Sequence, residues 1–295
     1  MFKDWFKKIP SFKDKPLKST VSSYNIHKSE NLFISTENYH LEAFIYDYRR
    51  LVVSFEPFNP NATADGYRMG WGSPLFRSQC VSHLCIKPKV SDWYRGPDLL
   101  TAFAELKAGG FFQAFETVVT YGGSMGGYAA LAFADVVGAK FVFSLNPQST
   151  LDKTKVPWET RFHQGWHQDW SSAYAEARQG IENVERAYIA VDMREELDRK
   201  HVDRITGSNV QILNMPYVGH MMPLHFQQAG ILRSTLSQIM DGNLNLSDYR
   251  SKARARRNLR AYYATLLSRQ RVQGSEKFRS IVEDHKERRT GHYTD

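Results

Sequence analysis

The 295-residue chain predicts an α/β protein with a mostly parallel central sheet flanked by helices, and three observations predict it. From Val81 onward, short apolar runs rich in β-branched residues alternate with runs of helical period, the order that lays parallel strands side by side. The runs TVVTYG and KFVFSLNP are apolar almost throughout instead of at every second residue, as in strands covered on both faces. The length suits one large domain with an appendage better than two equal halves.

Taken in order, NLFIS, LEAFIYDY and RLVVSFE read as the first strands, with ENYH as the turn between the first two. Pro57 to Gly72, rich in Asn, Pro, Gly and Asp, reads as a long loop, and VSHLCI (81–86) resumes strand character. In LLTAFAELKAGG, Leu99, Leu100, Phe103 and Leu106 recur at helical spacing between the start signals Pro97 and Asp98 and the stop signals Gly109 and Gly110. Strand TVVTYG, helix MGGYAALAFADVV and strand KFVFSLNP follow. Trp158, Phe162, Trp166 and Trp170 then recur every four residues, which predicts one face of a helix in a small Trp- and His-rich helical cap inserted at about 151–184. RAYIAVD is the next strand, EELDRKHVDRI a helix, VQILNMP the last strand and LHFQQAGILRSTLSQIM a closing helix. The expected organisation is a basic, aromatic strap over 1–30, the α/β domain over 31–240, and a basic helical C-terminal extension over 241–295.

Four glycines surround one serine in YGGSMGGYAAL, and Gly122-x-Ser124-x-Gly126 sits where an apolar strand run gives way to a helix. A strand that turns straight into a helix passes through a strained conformation at the serine, and side chains two positions either side collide with their neighbours. Glycine at 122 and 126 removes the collision. The same bend lifts the Ser124 hydroxyl above the sheet and aims the Met125 N–H, at the helix start, into the same space as an oxyanion donor.

Here the chain resembles the α/β-hydrolase superfamily, and YGGSMGGYAAL is similar to the nucleophile elbow of its serine esterases and acyl hydrolases, over roughly residues 31–240. The resemblance implies a triad in the chain order serine, acid, histidine. His220, in VGHMMPL directly after the last strand, matches the base. Asp198, a few residues beyond the strand RAYIAVD, is the favoured acid; Asp192 at that strand's tip is the second choice, with Glu195 and Glu196 beside them. A second oxyanion donor is implied in SFEPFNP, where Pro57 has no N–H and Phe58 or Glu56 is left to donate. The HGGG form of that loop is absent. The implied chemistry is cleavage of a carboxylic ester through an acyl-enzyme, without a cofactor. Compact domains bearing SMGGYAAL among bacterial proteins of glycan metabolism turn the expectation toward a carbohydrate O-acyl ester. An acyltransferase or thioesterase would use the same triad, and a non-catalytic scaffold acting through the basic C-terminal helix is the rival from another class.

Apolar residues at 42% and charged residues at 24% exclude a disordered chain. Cys80 and Cys85 alone imply neither a disulfide framework nor a zinc site, and with no secretory apolar region at the start the expected location is cytoplasmic. No 18-residue apolar run offers a membrane span. His163 and His167 share a helical face near Asp169, yet no H-E-x-x-H pattern exists and no metal is expected. Trp158 and Trp166 are the expected substrate-binding rings. Of the net charge of +8, Leu244–Asp295 holds most, with thirteen Lys or Arg against six Asp or Glu. In MFKDWFKKI, Phe2, Trp5, Phe6 and Ile9 share one face among lysines. These basic termini suit an acidic partner or a membrane surface, and no nucleic-acid motif accompanies them. The chain after Met240 is expected to be dispensable for the chemistry.

Overall fold

The computed structural model describes residues 30–60 and 68–291. The strap expected over 1–30, except Glu30 itself, therefore lies outside the described residues. Eight strands form one sheet: β1 (Glu30–Ser35), β2 (Tyr39–Ile45), β3 (Arg50–Phe55), β4 (Ser82–Pro88), β5 (Thr117–Gly123), β6 (Phe141–Leu145), β7 (Arg186–Val191) and β8 (Val210–Asn214). They lie in the order β1-β2-β4-β3-β5-β6-β7-β8. The first two pairings, β1 with β2 and β2 with β4, are antiparallel, and all later ones are parallel. Burial follows pairing. β2 alternates buried and half-buried residues, whereas β5 and β6 are buried almost end to end, as expected of parallel strands with helices on both faces.

The helices are α1 (Ser73–Ser78), α2 (Asp98–Ala108), α3 (Met125–Ala132), α4 (Glu196–Val202), α5 (Met222–Gln228), α6 (Leu232–Met240), α7 (Leu246–Lys252), α8 (Arg260–Leu267), α9 (Gln270–Gln273) and α10 (Glu276–Thr290). Because successive strand residues point to opposite faces, Leu51, Val53 and Phe55 of β3 join one core with Phe103 of α2 and Leu131 of α3. Val52 joins the other, with Phe76, Phe226, Leu236 and Tyr249 from α1, α5, α6 and α7.

Two expectations change. The closing helix is two, α5 and α6, because Gly230 adopts φ +69° and turns the chain between them. The aromatic stripe over 158–170 does not lie on an α-helix: the segment carries only the 3₁₀ turns His163–His167 and Ala177–Ile181. At about three residues per turn, positions four apart no longer share a face, which also separates His163 from His167 as a pair. This segment is held by polar contacts from Arg95 and by one within itself. Arg95 donates to the carbonyls of Asp169 (2.9 Å) and Ala173 (3.0 Å), and Trp170 donates to Gly165 O (2.7 Å). Among the described residues no helix is long and apolar enough to cross a membrane.

Candidate active site

The C-terminal ends of β5, β6, β7 and β8 supply Ser124, Asn146 with Gln148, Asp198 and His220, at the position where open α/β sheets bind their ligands. Ser124 follows β5 with φ 52° and ψ −119°, a conformation that a side chain rarely adopts. What enforces it is visible at the glycines: a Cβ at Gly126 would overlap the carbonyl of Phe55, and one at Gly122 would overlap the carbonyl of Gly126. The Ser124 N–H continues the sheet ladder onto Leu145 O at 2.9 Å, so the elbow is clipped to β6.

Ser124 Oγ lies 2.9 Å from His220 Nε2, across 96 positions of sequence. His220 Nδ1 lies 2.8 and 2.9 Å from the two carboxylate oxygens of Asp198, on the first turn of α4. The Nδ1–H thus donates to the carboxylate and leaves the Nε2 lone pair for the serine hydroxyl. Ser124 and His220 are half-buried and reachable, while Asp198 is fully buried. Burial would raise the Asp198 carboxyl, but the His220 hydrogen bond and the charges of His220 and Arg161 outweigh it and hold it below the usual range. Arg161 is the second partner: its Nη1 donates to Asp198 Oδ1 at 2.8 Å and its Nε to Glu159 Oε1 at 3.0 Å.

Asp192, the second choice for the acid, is placed elsewhere. Its Oδ2 accepts the main-chain N–H groups of Val218 (3.0 Å) and Gly219 (2.9 Å), and its Oδ1 that of Arg194 (2.9 Å). It therefore holds the loop that carries His220 instead of touching the imidazole. Glu195 stands at the N-cap position of α4 without a capping side-chain hydrogen bond, its carboxylate 3.3 Å from Arg269.

Trp158 packs on His201 (ring centroids 4.7 Å apart), and Trp166 packs on His163 (4.4 Å) with Lys153 Nζ 4.5 Å from its ring. The ring set against His220 is Phe162, at 5.5 Å. The loss of helical register in this segment explains the exchange. On the other side of the elbow, Trp71 stacks on Tyr121 at 4.4 Å and approaches Gly123 together with Pro223. Met125 is wholly buried at the start of α3, and the carbonyls of Phe55 and Glu56 approach Gly126 beside it, which brings the loop after β3 against the elbow. The Phe58 side chain packs on Trp93, at 5.3 Å between ring centroids.

Two carboxamides went unnoticed in the sequence, both from SLNPQST after β6. Gln148 Nε2 donates to Ser124 Oγ at 3.3 Å, and the buried Asn146 side chain lies 3.0 and 3.1 Å from the two ring nitrogens of His220. With Nδ1–H given to Asp198 and the Nε2 lone pair facing Ser124, the ring has no lone pair left for an N–H. Asn146 Nδ2 is the atom at those distances and Oδ1 is buried without a hydrogen-bond partner; turning the carboxamide over would set the oxygen against the ring C–H between the nitrogens. Asn146 itself adopts φ +39°, and a polar residue in the left-handed region at a strand end is the one signal that marks it. Among the described residues no group of three or more His, Cys, Asp or Glu is placed to hold a metal ion.

Sheet order, elbow and strand-end loops together are those of the α/β-hydrolase fold. Comparison with solved structures agrees: MPT51 (FbpC1) of Mycobacterium tuberculosis is similar at a TM-score of 0.51 and 12% identity, over 72% of this chain and 99% of that one. An esterase/lipase from an uncultured bacterium is similar at 0.46 and 13%, over 86% and 98%. The capsule O-acetyltransferase of Neisseria meningitidis serogroup A is similar at 0.47 and 12%, over 71% and 94%. At these identities the likeness is one of fold. No protein-family model matches the chain, and no curated protein matches it.

Proposed function

We propose that the protein is a serine-dependent hydrolase of carboxylic esters, with Ser124 as nucleophile, His220 as base and Asp198 as the acid that orients it. The observation that carries this reading is the unbroken chain from Ser124 Oγ through His220 to Asp198, at 2.9 and 2.8 Å, beginning at a reachable hydroxyl on a strained elbow.

His220 Nε2 takes the Ser124 proton as Oγ attacks the acyl carbonyl, and the Asp198 carboxylate stabilises the imidazolium that forms. Charge builds on the former carbonyl oxygen beside the Met125 N–H, with Phe58 or Glu56 from the adjoining loop as second donor. As the tetrahedral intermediate collapses, the C–O bond to the alcohol breaks and the imidazolium proton passes to the leaving oxygen. Water, deprotonated by the same imidazole, then attacks the acyl carbon; the bond to Ser124 Oγ breaks, the imidazolium returns its proton to Oγ, and the carboxylic acid leaves. No cofactor enters the scheme. Among substrates we place a carbohydrate O-acyl ester first, on the resemblance carried by SMGGYAAL.

A fluorophosphonate probe tests the reading. Wild type becomes labelled at Ser124 and Ser124→Ala does not. Absence of labelling in both would favour the scaffold alternative. A panel of acetyl, butyryl and longer p-nitrophenyl esters beside acetylated sugars then assigns the acyl group, and product analysis with added alcohols separates hydrolysis from acyl transfer.

A further inference from the structure

We propose that the basic C-terminal extension is a clamp on the loop that carries His220, so that Arg256 and Arg269 are positioning residues for the base; this rests on the serine-hydrolase reading above.

The loop Met215–His220 needs outside support. Tyr217 stands at φ +66° and Gly219 at φ +60°, so a non-glycine residue is held in the left-handed region three positions before the imidazole. Such a residue persists only where its surroundings over-determine it. Helix α5, which follows the loop, begins at Met222 and leaves the backbone of 216–219 to be satisfied by other partners. Asp192 takes two of the N–H groups, and the partner of Pro216 O comes from beyond Met240. Arg256, buried on the 3₁₀ turn Ala253–Asn258, donates from Nε to Pro216 O at 2.9 Å and from Nη1 to Ala253 O at 2.8 Å, so one guanidinium ties the loop to its own turn. The Tyr262 ring meets Tyr217 edge-on at 6.2 Å and is itself covered by the Arg256 guanidinium at 5.6 Å.

A second tie runs through Asp192. Its Oδ2 receives the N–H groups of Val218 and Gly219, the two residues directly before His220, and Arg269 Nη2 lies 3.7 Å from the same oxygen. Arg269 is anchored in turn on Arg194 O at 3.1 Å and Glu195 Oε2 at 3.3 Å. One arginine of the extension thus grips the loop from its N-terminal side and another steadies the carboxylate that grips it from the middle. Arg256 acts on the backbone four residues before the base and Arg269 acts through Asp192, and neither touches the reacting atoms. On this proposal the chain after Met240 serves the base, against the expectation that it is dispensable.

The test uses the full-length protein as wild type, Arg256→Ala, Arg269→Ala, the double variant and Arg256→Lys. Two readouts are taken. Hydrogen–deuterium exchange of Val218, Gly219 and His220 reports the loop whether or not the protein is an esterase. Steady-state kinetics on p-nitrophenyl acetate and the fluorophosphonate labelling rate report the base. The double variant is expected to accelerate exchange in the loop and to lower kcat and labelling about tenfold or more with KM within about twofold, because a small displacement of a catalytic group costs rate and not affinity. Arg256→Lys, which keeps one donor for Pro216 O, recovers part of the loss. Exchange and labelling unchanged in the double variant would overturn the clamp. Should Arg256→Ala not fold, Arg269→Ala, at a half-exposed side chain, decides by the same two readouts. A wild type that resists labelling would count against the hydrolase reading alone, since exchange still decides the clamp.

Discussion

Two serine–histidine–carboxylate chains lie in this fold, Ser124–His220–Asp198 at the strand ends and Ser149–His201–Glu159 in the interior, and Arg161 donates to the carboxylate of each. Their distances are alike: Ser149 Oγ is 3.0 Å from His201 Nδ1, and His201 Nε2 is 3.0 Å from Glu159. Their chemistry is not. The Ser149 N–H donates to His201 Nδ1 at 3.1 Å, so the lone pair that would take a hydroxyl proton is already occupied. Arg204 donates to Ser149 Oγ at 3.1 Å, and Ser149, His201 and Glu159 are all closed to solvent. Ser124, by contrast, stands half-exposed at a forced bend and faces a ring nitrogen whose lone pair is free for it. Three residue types within hydrogen-bond reach are common to both; access, backbone strain and the vacant lone pair belong to one.

The contrast is broken most severely at Ser124 and Asp198. On the proposed reading Ser124→Ala lowers kcat/KM by about 10⁴-fold or more, and Asp198→Asn by about 10⁴-fold by leaving the imidazole in the wrong tautomer. Ester turnover and fluorophosphonate labelling measure both. An active Asp198→Asn enzyme would mean that the buried carboxylate serves the interior network and not the base.

Arg161 comes next because both chains lean on it. Its side chain is 24% exposed, while the Glu159 and Asp198 side chains it joins are 0% and 1% exposed. Arg161→Met leaves two carboxylates buried without their cation and should destabilise by about 3 kcal/mol at neutral pH, read from urea midpoints. Acid partly restores the variant, because protonating either carboxylate removes the uncompensated charge.

The strands β3, β5, β6 and β7 were legible in the sequence because each is a short apolar run that a parallel sheet buries almost whole. Ser124 and His220 were legible because an elbow between strand and helix, and a histidine after the last strand, are local patterns. Asp198 was only favoured: choosing it over Asp192 depends on which carboxylate faces the imidazole and which faces backbone N–H groups, a matter of three-dimensional placement. The segment after β6 was misread because it is mostly irregular, with only Trp166 of its four rings inside a 3₁₀ turn, and is fixed by contacts such as that from Arg95 to Ala173 O, 78 positions away. Periodicity cannot report such contacts. Asn146, Gln148 and Arg161 were missed for the same reason.

Acid sharpens the comparison through the interior chain. Burial would raise the Glu159 carboxyl, but hydrogen bonds from His201 and Arg161 outweigh it and pull it down to about 2 from 4.5, while burial pushes the His201 imidazole below its ordinary 6.5. Both shifts make the unfolded chain bind protons first. Stability is therefore full above the unfolded histidine value, declines as pH falls below about 6.5 through His201, and declines again between about 4.5 and about 2 through Glu159. Urea midpoints across this range should fall throughout, and Glu159→Gln should flatten the lower part. A wild-type midpoint constant from pH 6.5 to 3 would contradict the depressed pair.

The smallest effect is expected at Ser149. Its hydroxyl exchanges one hydrogen bond with His201 and one with Arg204, and its main-chain N–H on His201 survives substitution. Ser149→Ala should cost about 1 kcal/mol of stability and change ester turnover by less than about threefold. Both numbers follow from treating the interior chain as a buttress whose histidine needs only its backbone donor and Glu159 to stay in place. A large loss of turnover at unchanged stability would mean that displacement of His201 passes through Glu159 and Arg161 to Asp198, and the two chains would then work as one device.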